Sequence, residues 1–382
     1  MNADLLRKEF LNHFGYLPTA VVSSPGRINL IGEHIDYNGG FVLPAAIDKK
    51  IIVAISPRDD KKIKLFAIDQ PEKSFETELE HLQKSSLHWP NYILGVVEQC
   101  VRRESPLSGF DVAISGDVPI GAGVSSSAAL ECATLFALNH VFDLKMDRIQ
   151  MARLAQAAEN QFVGVNCGIM DQFASLMGKE GNVIKLDCAT LQYEYYPFSP
   201  DEEVLVLFDT QVKHSLASSA YNQRRQECEE GLAAIRQTNP ERQALSQATL
   251  EELDNAPLPA TVRQRCKYVI EEQLRVNAAC NDLVNGDLNS FGKKMFLTHW
   301  GLSSQYQVSC EELDFIVRAC QTHSSVLGAR LMGGGFGGCV IALLHKNSLA
   351  RIYMQLGEQY EAVFGKKMLV HQVGIGEGTS LQ

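Results

Sequence analysis

Short apolar runs rich in valine and isoleucine alternate with longer helical patterns along the whole chain, and this alternation constrains the fold more than any other feature. Strand-sized runs occupy residues 20–23, 51–56, 63–68, 110–115, 183–186, 204–208, 339–344 and 368–373. Helical patterns cover 3–14, 91–102, 127–142, 147–159, 219–236, 261–284, 310–321 and 348–364. The first half is richer in strands and the second in helices, which predicts an α+β chain of two sandwich-like domains. A length of 382 residues agrees, at about 150 residues per domain. Between 237 and 259 the pattern weakens around Pro240, Pro257 and Pro259, and the stretch reads as a surface excursion. Within it, Thr249 followed three residues later by Glu252 predicts a capping box for a short helix.

Hydrophobic residues make up 45% and charged residues 21%, a mix able to bury a sizeable core. Lys and Arg total 35 against 45 Asp and Glu, a net charge of −10. A broad surface for nucleic acid or an anionic membrane is therefore not expected, although a local site can still hold phosphates. The longest apolar runs fall far short of the ~18 residues that a membrane span needs. The first ten residues carry Asp4, Arg7, Lys8 and Glu9 with no apolar run behind them, so no signal peptide is expected. Ten cysteines are scattered singly, without a Cys-x-x-Cys pair or zinc spacing. They read as small buried hydrophobes in a reducing compartment, which places the protein in the cytoplasm.

Four segments concentrate the chemistry. In the first, Gly121-Ala122-Gly123-Val124-Ser125-Ser126-Ser127 runs into an apolar pattern of helical length. The glycines allow a tight backbone path, and the serines stand where free N–H groups and the positive end of the helix dipole favour an anion. The segment suits a phosphate cradle, or else an ordinary glycine loop with a serine cap. It is not the common P-loop, because Gly-x4-Gly-Lys-Ser/Thr occurs nowhere. A second cluster, Gly333, Gly334, Gly335, Gly337 and Gly338, formally contains the dinucleotide fingerprint. It runs into a strand instead of opening a helix, so it carries no Rossmann meaning. So many glycines imply a backbone approached closely by something, or a structural turn.

The third segment packs Arg27, Glu33, His34, Asp36 and Asn38 among glycines and apolar residues. Glu33-His34-x-Asp36 supplies acceptors and a donor suited to a polyhydroxylated ligand, or forms a solvated polar turn. A zinc reading would need a His-Glu-x-x-His helix or a second nearby histidine, and neither is present. In the fourth, Glu159 closes a helical pattern and Asp171 sits among uncharged neighbours after Gly168. Asp171 reads as a helix cap or turn residue, or as a partly desolvated carboxylate serving as base or metal ligand.

Together the four segments resemble the galactokinases within the GHMP small-molecule kinases, in motif order and separation, over residues 10–374. Residues 27–44 are similar to the galactokinase signature, the glycine–serine segment to the ATP-phosphate motif, and the second glycine cluster to the C-terminal motif. The resemblance implies a two-domain α+β fold: a domain like ribosomal protein S5 domain 2 over 1–200, a ferredoxin-like domain over 201–382, and an active site in the cleft between. It implies ATP-dependent phosphorylation of α-D-galactose at the C1 hydroxyl, with Mg²⁺ as cofactor, galactose and ATP as partners, and a monomer, an oligomer being left open. By the same resemblance, Arg27 stands beside the transferred phosphate and Asp171 faces the C1 hydroxyl. Glu33, His34, Asp36, Gly168 and Tyr221 match sugar-binding positions, and Ser127 and Glu159 the magnesium positions. Trp89 and Tyr92 match the adenine pocket, and Gly121, Ala122, Gly123, Val124, Ser125, Ser126 and Ser127 the nucleotide-phosphate loop. Ile35 and Met332 stand where threonine is usual, which keeps N-acetylgalactosamine or another sugar open as acceptor. Retention of Arg27, Asp171 and the Ser127-Ala128 pair speaks against a non-catalytic sugar sensor.

Overall fold

Alternating apolar residues in the first half assemble a six-stranded sheet, in the order Ser380–Leu381, Ala20–Asn29, Pro44–Pro57, Phe110–Gly116, Lys62–Ala67, Ser74–Glu78. Among the described residues only Lys62–Ala67 and Phe110–Gly116 pair in parallel. Val22, Val53 and Val112 face the main core, whereas Val21, Ile52, Ala54 and Ala113 meet Leu6 and Phe10 of helix Ala3–Phe14. This is the period-two split of a sheet covered on both faces. Helices Ser126–Val141 and Met170–Met177 lie across the two strands Ala20–Asn29 and Pro44–Pro57. The computed structural model describes residues 2–70, 72–119, 121–212 and 217–382; Ile120 of the glycine–serine motif lies outside the described residues.

In the second half, Val326–Leu331, Cys339–His345, Glu203–Asp209 and Leu369–Val373 form an antiparallel four-stranded sheet with ferredoxin-like connectivity. Helices Leu288–Trp300 and Glu311–Thr322 pack on it. Helices Ala217–Arg236, Leu250–Asn255 and Ala260–Val284 are inserted after its first strand. A third sheet, Phe41–Val42, Asn182–Asp187 and Tyr193–Pro197, is crossed by helix Ala260–Val284. The C-terminus then returns to the first half, where Leu381 pairs with Val22 and Ser380 with Ser23.

Several elements differ from the sequence expectation. The strands expected at 20–23 and 51–56 extend to Ala20–Asn29 and Pro44–Pro57. Helix Leu288–Trp300 and strand Val326–Leu331 lack a sequence signal for a physical reason. A Cβ on Gly292 would overlap the Leu327 carbonyl, and one on Gly328 would overlap Gly292, so helix and strand touch backbone to backbone. Glycines that permit this approach also weaken the helical and strand patterns. The 237–259 stretch does contain the capped helix, with the Thr249–Glu252 box formed. It is more than a surface excursion, however: Leu245 and Leu253 are buried, and Ser246 hydrogen-bonds the carbonyls of Asn38 (3.3 Å) and Gly39 (2.8 Å). All ten cysteines are unpaired and most are buried.

Candidate active site

Two cavities flank the start of helix Ser126–Val141. One, of about 310 Å³, is lined by Arg27, Glu33, His34, Asp36, Glu159, Asp171 and Tyr221, with Gly333, Gly334 and Gly335 closing it from the second half. The other, of about 320 Å³, is lined by Trp89, Tyr92, Ile51, Leu87 and Leu130, and reaches Ser126 and Ser127. Ser127 also hydrogen-bonds Glu159, so the helix start links the two.

Arg27 is placed by a β-bulge. The register of Ala20–Asn29 against Pro44–Pro57 shifts between Pro25 and Arg27, and the Arg27 N–H bonds the Val124 carbonyl at 3.0 Å. A Cβ at the intervening Gly26 would come within 2.7 Å of that carbonyl, so glycine permits the approach. The guanidinium donates to Asp171 through Nε (2.7 Å) and Nη2 (2.8 Å), and to the Gly123 carbonyl through Nη1 (2.6 Å). Three of the five N–H donors of the fork are thus used and two remain. Burial works against the Arg27 charge, but Asp171, Glu33 and Asp36 outweigh it and hold the group above its ordinary range. Asp171 lies in the first turn of Met170–Met177. Ser125 does not cap its helix; its hydroxyl donates to Asp171 Oδ2 instead.

On the Glu33–Asp36 turn, Asn29 Nδ2 (3.3 Å) and Arg330 Nη1 (2.7 Å) both donate to Glu33 Oε2. Burial pushes His34 down to about 3, against the opposing pull of its bond to the Gly334 carbonyl, so the imidazole is neutral. The tautomer follows. Nε2 faces that carbonyl at 3.2 Å and must carry the hydrogen, which leaves Nδ1 to accept from Tyr37, 2.7 Å away. Burial, then the neighbouring Asp171, pushes Asp36 up to about 7. Gly168 does not line this cavity. It backs it: a Cβ there would overlap the Asp36 carboxylate.

Glu159 sits on a π-helical turn, Ala158–Val163, that ends helix Arg148–Ala157; such turns recur at functional sites. Burial and Asp171 push its carboxyl up to about 7, against hydrogen bonds from Ser127, Cys167 and Gln172. Gln172 Nε2 bridges Glu159 (2.7 Å) and the fully buried Glu131 (3.0 Å). Burial, then Glu159, raises Glu131 well above the carboxylate range.

In the glycine–serine loop, Gly121 and Gly123 adopt positive φ of 82° and 74°, while Ala122 and Val124 point into the core. Those two side chains are therefore committed to the core, and only their backbone is available to a ligand. The close approach expected at the second glycine cluster is made by the chain itself. Gly333 packs on Gly123, Gly334 on the Tyr221 ring, and a Cβ on Gly335, at φ 78°, would overlap the Val308 carbonyl. Ile35 and Met332 are buried and line neither cavity. Sequence reasoning missed Arg330, Gln172 and Glu131. Gln172 adjoins Asp171 and Glu131 stands one helical turn past Ser127, a spacing that could have pointed to both.

The comparisons with known proteins follow this geometry. A family model described as the galactokinase galactose-binding signature matches residues 8–57, which include the Glu33–Asp36 turn. The GHMP kinases N terminal domain matches 91–179 and the GHMP kinases C terminal domain 279–362. The galactokinase of Thermotoga maritima is 40% identical over 357 residues, covering 94% of this chain and 98% of the relative. That of Clostridium tetani is 39% identical over 386 residues, covering 99% and 97%. The crystal structure of Lactococcus lactis galactokinase complexed with galactose superposes with a TM-score of 0.94 at 35% identity, covering 99% of both chains. A mevalonate kinase structure, at 18% identity and a TM-score of 0.64 over 94% of this chain and 99% of its own, shares the fold alone. The chain belongs to the galactokinase family of the GHMP kinases.

Proposed function

We propose that this enzyme transfers the γ-phosphoryl group of ATP to the C1 hydroxyl of α-D-galactose, giving α-D-galactose 1-phosphate and ADP. The observation that carries the reading is the position of the galactose-binding signature. Its acidic turn lines the same cavity as the Arg27–Asp171 pair, one helix start away from a second, mainly apolar cavity that carries Trp89 and Tyr92. Phosphoryl transfer depends mainly on positioning and on spreading charge over the transferred group. Asp171 is held by the Arg27 fork and by Ser125, so its carboxylate meets the acceptor hydroxyl in one orientation and takes its proton. The two unused Arg27 N–H groups support the phosphoryl oxygens. Backbone N–H groups of the glycine–serine loop and the start of Ser126–Val141 cradle the chain of phosphates. Glu33, His34, Asp36 and Tyr221 select the sugar; the neutral His34 ring is fixed in place by the Gly334 carbonyl at Nε2 and by Tyr37 at Nδ1.

The donor set fits the Mg²⁺ that the family implies. Ser127 and Glu159 pair a hydroxyl with a carboxylate, both oxygen ligands of a hard dication, and the Glu159 charge lies buried beside Asp171 and in need of compensation. Among the described residues no three His, Cys, Asp or Glu side chains form a ready cage. That suits an ion held jointly with nucleotide phosphates. Bound there, Mg²⁺ would neutralise charge on the phosphates. No helix among the described residues is long and apolar enough to cross a membrane. The ten unpaired cysteines support a cytoplasmic reading.

The test is a panel of sugars with MgATP, scored for ADP release and for anomeric phosphate by phosphorus NMR. Galactose should be turned over far above glucose and yield the α-1-phosphate, because a site that hydrogen-bonds a hydroxyl rejects its epimer strongly. Comparable turnover of both sugars, or phosphate at another carbon, would overturn the reading.

A further inference from the structure

Beneath the sugar-signature turn, and outside the cavity, lies Arg330, the largest fully buried side chain among the described residues. It belongs to strand Val326–Leu331 of the second half, yet most of its bonds reach into the first. Nε donates to the Leu30 carbonyl at 2.9 Å, Nη2 to the Asn29 carbonyl, and Nη1 to Glu33 Oε2 at 2.7 Å and to the Leu331 carbonyl at 2.6 Å. Asn29 and Leu30 are where the strand carrying Arg27 ends and the turn carrying Glu33 begins. One planar fork thus reads the direction of the chain at that exit and holds one carboxylate oxygen of a cavity-lining residue. Glu33 Oε1 is left for a ligand, because Oε2 is occupied by Arg330 and Asn29. Among the described residues, the cavity lined by Trp89 and Tyr92 is lined by the first half alone.

We propose that Arg330 is a positioning residue for the sugar: it acts through Glu33 to fix which carboxylate oxygen, in which direction, meets a galactose hydroxyl. The proposal rests on the galactose reading above. A lysine could keep the charge and one bond but not the fork that grips three carbonyls and a carboxylate together. Removing the charge outright would leave Glu33 buried and unpaired, which by itself can unfold a protein. The informative variants are therefore Arg330→Lys, Glu33→Gln, and the two combined.

Galactose affinity measured by calorimetry without nucleotide, together with KM for each substrate, reads the effect. In Arg330→Lys we expect galactose to bind about tenfold more weakly or worse, with KM for ATP within roughly twofold of the parent. In the Glu33→Gln background the same change should add little further, because its route to the sugar is already cut. The assignment is overturned if Arg330→Lys weakens galactose equally in both backgrounds, if KM for ATP rises in parallel, or if galactose binding is unchanged. A parent enzyme that binds no galactose would overturn the functional reading and this inference together. A parent that binds it beside an indifferent Arg330→Lys would overturn only the inference.

Discussion

The two cavities are of nearly equal volume but are built in opposite ways. The cavity lined by Trp89 and Tyr92, which we assign to the nucleotide, is made among the described residues by the first half alone, chiefly from apolar side chains with the free start of a helix at one end. The cavity lined by Arg27, Glu33 and Asp171, which we assign to the sugar, is a joint product. Its acidic turn belongs to the first half but is clamped by the second: Glu272 accepts from the Gly32 N–H at 2.9 Å, Tyr268 donates to the Glu33 carbonyl at 3.0 Å, and Gly334 engages His34. Arg27, Glu33, His34, Asp36, Glu159 and Asp171 crowd this side. The contrast teaches that the phosphate donor can be held by local backbone geometry, whereas discriminating an epimeric sugar takes polar groups oriented by packing between the halves.

The largest expected effect lies where the two cavities meet. Asp171→Asn is nearly isosteric, so it should lower kcat by at least ~10²-fold while galactose still binds by calorimetry. Near-parental kcat at an unchanged melting temperature would make Asp171 structural and remove the junction from the mechanism.

Next, Gly168→Ala should act on the sugar side only. The new methyl group displaces the Asp36 carboxylate, and KM for galactose should rise by about tenfold with KM for ATP unchanged. If both constants rise together, the cavities are not separable in the way described. Trp89→Ala is the mirror experiment. The indole is tethered at its tip by a 3.3 Å bond to the Glu72 carbonyl, which leaves its face for a base. Loss of stacking should raise KM for ATP roughly fivefold and leave galactose alone. A shift in galactose KM would break the comparison from the other side.

A last effect, read in stability and not in turnover, is a pH signature on the side we assign to the sugar. Asp36 is raised from 3.8 to about 7 in the folded protein, so ionising it opposes folding. Its penalty is absent below 3.8, accumulates as pH rises, and levels off above about 7. In sugar-free protein the melting-temperature advantage of Asp36→Asn over the parent should therefore widen between those limits; a gap that ignores pH would show that Asp36 is not held as described. His34, pushed down to about 3, should add no proton step near neutrality.

The glycine–serine loop could be read from the chain because its function is local. Positive φ at Gly121 and Gly123 and a free helix start are written in consecutive residues. Arg27, Glu33, His34, Asp36 and Asp171 could be named as candidates because such polar residues are unusual among glycines and apolar neighbours, and the strand and helix alternation announced the α+β class. Other features only the tertiary structure decided. Ser125 turning from helix cap to Asp171 partner, Gly168 serving as a wall behind Asp36, and the second glycine cluster making room for its own chain all depend on contacts between distant segments. Arg330 shows why. In the sequence it is an ordinary arginine between alanine and leucine, and its partners Asn29, Leu30 and Glu33 lie some three hundred residues away. Local pattern carries backbone conformation and one-sided burial, but the pairing of buried charges is set by which surfaces fold together, and nothing in the neighbouring residues encodes that.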